Sequence, residues 1–180
     1  MNYSAKQVAE WILWLAAQKG IRLSPTQLQK HLYCAQGYSL GMTGDKLFGE
    51  PIYAWGHGPV VREVLHHYRR FGANKITPPA RVEIPPDASG IIDVIVSGKG
   101  RATDSELRNA THAELPYSST PLDAEIPIQL IKDFFVERFW ISDEEDEYEP
   151  SFDNEEDELA FFRESLSPEK RKMLQDALSD

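Results

Sequence analysis

The chain has 180 residues, 41% hydrophobic and 11% aromatic, enough apolar side chain to bury one core and too much for a disordered polypeptide. Its net charge of −10 is unevenly placed: residues 143–180 carry 15 acidic and 4 basic side chains, a net of −11, whereas residues 1–142 carry 14 acidic and 15 basic, a net of +1. A body so close to neutral lacks the broad basic face that nonspecific DNA binding needs, so nucleic acid is not expected as the main partner.

The first element in chain order is a helix over residues 4–19. Val8, Trp11, Ile12 and Leu15 recur at helical spacing, and Gly20 stands where a left-handed residue closes a helix. The apolar stretch within it, residues 11–17, is too short to span a bilayer, and no basic-then-apolar leader precedes it. With one cysteine, Cys34, the chain has no internal disulfide, which points to a reducing compartment. The expectation is a soluble cytoplasmic protein with no membrane partner.

"SPTQ" at residues 24–27 marks the second helix: Ser24 to cap, Pro25 for the first helical position and Gln27 to complete a capping box. Leu28, Leu32 and Ala35 form one apolar stripe, and Gly41 and Gly44 are expected to end the helix. An extended piece near residues 50–56 leads into "GHGP", after which Pro59 is expected to open a third helix with Val60, Val61, Val64, Leu65 and Tyr68 on its buried side. Arg62, Arg69 and Arg70 fall in that helix as a local basic patch.

Residues 75–87 read as an irregular connector. "IIDVIV" at residues 91–96 has a strand composition, but an isolated strand finds no neighbour, so a helix is the reading. Thr103 with Glu106 opens another helix, and Ile128, Ile131, Phe135 and Phe139 mark the last one, from about residue 127 to 139. The fold expected is mainly α: five or six helices in a bundle with one short extended segment, occupying residues 1–142. An acidic linker, 143–158, and a short helical appendage, 159–180, follow.

Five histidines invite a search for chemistry. His31 and Cys34 lie three apart on one helix and could meet as an imidazole–thiolate nucleophile, yet no third orienting group is evident and Cys34 sits beside the packing stripe. His66 and His67, adjacent on a helix, point about 100° apart and do not share a metal; no cysteine pair or HExxH spacing supplies zinc ligands. His112 and Glu114 suit a carboxylate-oriented general base, and equally a junction closed by hydrogen bonds. The glycines of "GHGP" lack the spacing and the Lys-Ser/Thr of a phosphate loop. They read instead as a corner, with Gly56 and Gly58 free to take positive φ, Trp55 pinning it to the core, and amides at the following helix start open to an anion. No catalytic, cofactor or metal site is expected.

Three ordered blocks carry a family resemblance: "LSPTQLQKHLYCAQGYSLGMTGDKLFGEPIYAWGHGPVV", "ELRNATHAELPY" and "IKDFF". On these, from about residue 8 to 139, the chain resembles the Panacea domain, or SocA-like antitoxin domain, of bacteria and phages. It departs from the family pattern at Tyr117, where tryptophan is usual, and at Gly56-His57, where Lys-Tyr is usual. The resemblance implies an antitoxin that neutralises a cognate protein toxin by direct contact, with presentation to a protease in one branch and no shared catalysis or cofactor. It marks Lys30, Leu32, Tyr33, Trp55, Gly58, Pro59, Val60, His112, Glu114 and Pro116 as signature positions, many expected to hold the scaffold rather than touch the partner.

Eleven acidic residues between Asp143 and Glu158 could cover a basic toxin and steer it electrostatically, with Phe152, Phe161 and Phe162 as apolar anchors, or serve only to keep the chain soluble. Two rival functions stand beside the antitoxin. One is a phage-linked inhibitor or regulator of a host machine whose acidic tail imitates nucleic acid; the other is an enzyme built on His112, Glu114 and Cys34.

Overall fold

A computed structural model describes residues 3–140. The acidic linker, the C-terminal appendage and the three tail phenylalanines, Phe152, Phe161 and Phe162, lie outside the described residues. Seven helices and one hairpin are present among those described: α1 (Ala5–Gln18), α2 (Pro25–Thr43), β1 (Tyr53–Trp55), β2 (Gly58–Val60), α3 (Arg62–Tyr68), α4 (Pro86–Lys99), α5 (Asp104–Ala113), α6 (Leu115–Ser118) and α7 (Ile128–Trp140). The mainly helical class is as expected, and six of the helices have seven residues or more.

Local chemistry accounts for three of the helix starts. Ser4 with Gln7, Ser24 with Gln27 and Thr103 with Glu106 each form a complete capping box, so two orphan amides are satisfied at each start by side chains three residues apart. At the end of α1, Gly20 takes φ +72°, and the amides of Gly20 and Ile21 donate to Ala17 and Ala16, closing a Schellman motif. Residues 91–96 are helical: Ile91, Ile92, Ile95 and Val96 recur at one- and four-residue steps and form the buried face of α4.

The core is organised around α2, which packs against α7, α4, α1, α5, α3 and β2. It is therefore buried on every side rather than along the one stripe its leucines suggest; only Thr26, Tyr38, Met42 and Thr43 reach solvent appreciably. Polar side chains go inside with it because each has a backbone group to satisfy. Gln27 Nε2 donates to the Ala102 carbonyl at 2.7 Å, Gln29 Oε1 accepts from the Val61 amide at 2.7 Å, and Gln36 accepts from the Leu47 and Phe48 amides while donating to the Phe48 carbonyl. The glutamines of α2 thus hold the connectors that wrap it, replacing a hydrogen-bonded sheet as the organising device.

Several expectations are corrected. Helix α2 runs through Gly41 and stops only at Gly44, in the left-handed region. Pro59 does not open a helix but sits in β2, opposite Ala54 in an antiparallel pair, and α3 begins at Arg62. The reason is Gly58: at φ +100° it turns the chain back along β1, and the proline falls in a register where it has no amide to offer and need not. Gly56 is not among the positive-φ glycines, so only one of the two glycines is used that way. The Val61 amide, just before α3, is taken by Gln29, while no side chain caps the start of α3. Arg62 starts α3, while Arg69 and Arg70 lie in the 3-10 turn that follows it, so the three arginines are not one helical patch. The connector ends at Pro85, with Pro86 and Asp87 already in α4, and α6 is a short helix that no periodicity announced.

Candidate functional site

The hairpin stands over the N-terminal half of α2, and the two enclose a cleft of about 200 Å³. Thr26, Gln29 and Lys30 line it from α2, Trp55, Gly56, His57 and Val60 from the hairpin, Leu65 from α3, and Asp123 from the loop before α7. The loop holds the far edge of β1, where the Ala54 amide donates to the Ala124 carbonyl and the Asp123 amide donates to the Ala54 carbonyl. Arg62 closes one flank: its guanidinium lies 3.4 Å above the Tyr53 ring and 5.8 Å from the Trp55 ring, and Nη2 donates to the Asp123 carbonyl at 3.5 Å.

Lys30 is the unusual member. Its side chain is wholly buried, and Nζ donates to the Pro59 carbonyl at 3.1 Å. It fits because position 58 has no Cβ: a methyl there would run into the lysine ammonium and come within 3.2 Å of Thr111 Oγ1. Burial is the main cause that lowers its pKa to about 7; Cys34 works against the shift and Arg108 adds to it. An unfolded lysine titrates near 10.5, so between about pH 7 and 10.5 the unfolded chain holds a proton that the folded chain gives up. The Lys30 contribution is full above that range and is lost as pH falls toward 7. Chemical denaturation should therefore show the wild type gaining about 1.5 kcal/mol from pH 7 to about pH 8.5. Lys30→Met should lack that increment, and an identical pH profile in the variant would contradict the assignment.

Trp55 is half-buried, its carbonyl accepts from the Tyr117 hydroxyl at 2.8 Å, and its buried indole Nε1 has no acceptor among the described residues. Tyr117 in turn stacks on His112, ring centroids 4.3 Å apart and planes 28° from parallel. Burial, then the charges of Lys30 and Arg108, hold the His112 imidazole below its ordinary pKa, and its Nε2 is buried without a partner. Tyr117 thus performs the anchoring expected of a tryptophan at that position, with a hydroxyl in addition.

The signature positions divide into three groups. Lys30, Trp55, Gly58, Pro59 and Val60 surround the cleft, and His112 joins them through Tyr117. Leu32 is fully buried in the core, and Pro116 is buried in α6. Tyr33 and Glu114 belong to a second buried cluster. Glu114 lies 3.7 Å from Arg138 of α7, burial raises its pKa, and the neighbouring Tyr33 opposes that rise. The Tyr33 phenol is itself pushed up by burial and by the Glu114 charge.

Among the described residues no hydrogen bond joins His112 to Glu114, so the pair is not set as an oriented base. Nor is His31–Cys34 a nucleophilic pair: His31 Nδ1 donates to the Gln27 carbonyl at 2.7 Å, burial lowers its pKa to about 4, and burial pushes the Cys34 thiol up to about 12. Among the described residues no three metal-ligating side chains gather, and no helix is long and apolar enough to cross a membrane.

Residues 28–116 match the family described as Antitoxin SocA-like, Panacea domain. The chain carries a Panacea domain. The matched span starts within α2 and ends in α6, so it contains the hairpin, the residues lining the cleft other than Thr26 and Asp123, and His112, but not Tyr117. No curated protein and no solved structure matches the chain. Within the Panacea domain, Gln29, which lines the cleft, and Thr111, which stands beside Lys30 at Gly58, were passed over by pattern reading, and Arg62 was read only as part of a basic patch. Gln29 and Thr111 stand inside the quoted blocks, but a buried glutamine and a threonine carry no sign of their role until the hairpin is placed above them.

Proposed function

We propose that the protein is an antitoxin that neutralises a cognate protein toxin by direct contact, without catalysis, and that the hairpin cleft of the Panacea domain is where the toxin is engaged. The observation that carries this reading is the preformed cleft itself, walled by Trp55 and Val60 of the hairpin and Leu65 of α3, with Gln29 and Lys30 of α2 beneath. A concave wall built on a large aromatic ring and edged by a few polar groups is the kind of surface in which a partner's anchoring side chain is buried. The clefts of stable scaffolds are natural places for this, and here Lys30, Gln29 and Pro59 hold the walls from below. The inert Cys34 and the neutral, separately engaged histidines support binding rather than chemistry.

The test is co-expression with the protein encoded next to this chain's gene. The two should co-purify, and the chain should restore growth when the neighbour is toxic alone; failure of both would defeat the antitoxin reading. Trp55→Ala, which removes the ring from the wall of the cleft, should weaken the complex roughly tenfold or more. A complex unaffected by that change would place the contact on another face.

A further inference from the structure

The connector between α3 and α4 has a second half with a regular pattern. Arg81 and Glu83 are exposed and stand on one side, their charged ends 4.0 Å apart, while Val82 and Ile84 between and after them are half-buried and pack on the core. That alternation is the period of an extended chain. The Ile76 amide donates to Leu23 and the Ala88 amide to Pro85, but from Thr77 to Ile84 no backbone amide or carbonyl makes a hydrogen bond within the described residues. Proline pairs at 78–79 and 85–86 bracket the segment, so a hydrogen-bonded ladder could occupy it and run no further.

Beside this segment lies a groove of about 470 Å³, walled by Trp14 and Leu15 of α1, Val82 and Ile84 of the connector, and Gly90 of α4. Asp93, the one charged group at its edge, is paired with Lys19 at 2.8 Å, which leaves the groove suited to an apolar side chain.

We propose that residues 80–84 form a docking edge to which an extended segment of a partner protein adds as a β-strand, placing an apolar side chain in the α1–α4 groove. A helix or a compact surface would leave the row of backbone groups unmet; an extended chain meets them at the spacing of a strand pair and reaches the groove with alternate side chains. The proposal deepens the protein-binding role and rests on it, and it names a face separate from the hairpin cleft.

The full chain is panned with strand-length random peptides, and the enriched peptides are measured by hydrogen exchange and binding. Alternating apolar sequences should be selected, and the amides of Arg81 and Glu83, which face one edge of an extended chain and are fast in the free chain, should become protected in the bound one. Glu83→Pro removes the backbone N–H at a position whose side chain is 92% exposed, and keeps Val82 extended. It should weaken the peptides about tenfold, while Glu83→Ala should change them little. No enrichment, equal binding to Glu83→Pro, or unprotected amides at Arg81 and Glu83 in the wild-type complex would each overturn the proposal. The exchange measurement on wild type stands even if the proline variant folds poorly. If the peptides dock as described but fail to compete with the neighbour-encoded protein, the docking edge holds and the toxin occupies a different face.

Discussion

Gly37→Ala is expected to destabilise the protein by about 2 kcal/mol, although alanine is the better helix former by roughly 1 kcal/mol. Gly37 lies at the crossing of α2 and α7, the closest-packed helix pair, and a methyl group there would fall within the ring of Phe135. That ring is 1% exposed and is held edge-on by Tyr33 at 5.7 Å and by Phe134 at 5.3 Å, so it has no free direction in which to retreat. Overpacking of such a contact forces the two helices apart, and the lost burial outweighs the gain in propensity. The mechanism predicts a specific rescue. Phe135→Leu alone costs stability by leaving a void, but combined with Gly37→Ala it should recover about 1 kcal/mol or more relative to additivity. Equilibrium denaturation of the four proteins of this cycle measures it. A stabilising Gly37→Ala, or strictly additive costs, would mean that the crossing is looser than its geometry.

Gln36→Leu should have a still larger effect, about 3–5 kcal/mol, despite preserving volume and adding apolar character to a helix. Gln36 is 1% exposed, and its amide holds three backbone groups at once: the amides of Leu47 and Phe48, at 2.9 and 3.1 Å, and the Phe48 carbonyl at 3.0 Å. Leu47 and Phe48 are themselves fully buried, so water cannot replace the lost partners without opening the loop. Denaturation midpoints would show the cost. Hydrogen exchange would locate it, because the Leu47 and Phe48 amides should lose protection before those of α2. A loss below about 1 kcal/mol would indicate that the loop rehydrates easily.

Both substitutions concern residues that a sequence reader would treat as ordinary. The local signals were legible: "SPTQ" and "TDSE" announce their helix starts because a capping side chain reaches only three residues along its own chain. The helix at residues 86–99 was legible against its β-branched composition, since no neighbouring strand was available to pair with it. Pro59 misled because a proline after glycine fits a helix start as well as an edge of a hairpin, and the choice is made by β1, four residues earlier. Signature residues such as Lys30, Trp55 and His112 were legible as a motif. Their division between a cleft and a second cluster around Tyr33, Glu114 and Arg138 was not, because the contacts join residues that are far apart in the chain.

The sequence by itself determined the capped helix starts, the mainly helical class and the Panacea signature, all of which depend on side chains reaching their own neighbourhood or on residue order. Only the tertiary structure decided that α2 is buried on every side, that its glutamines and Lys30 go inside, and that Trp55 walls a cleft above them. The physical reason is that a polar side chain is buried only when a distant backbone group needs it, and that need exists only once the connectors have been wrapped around the helix.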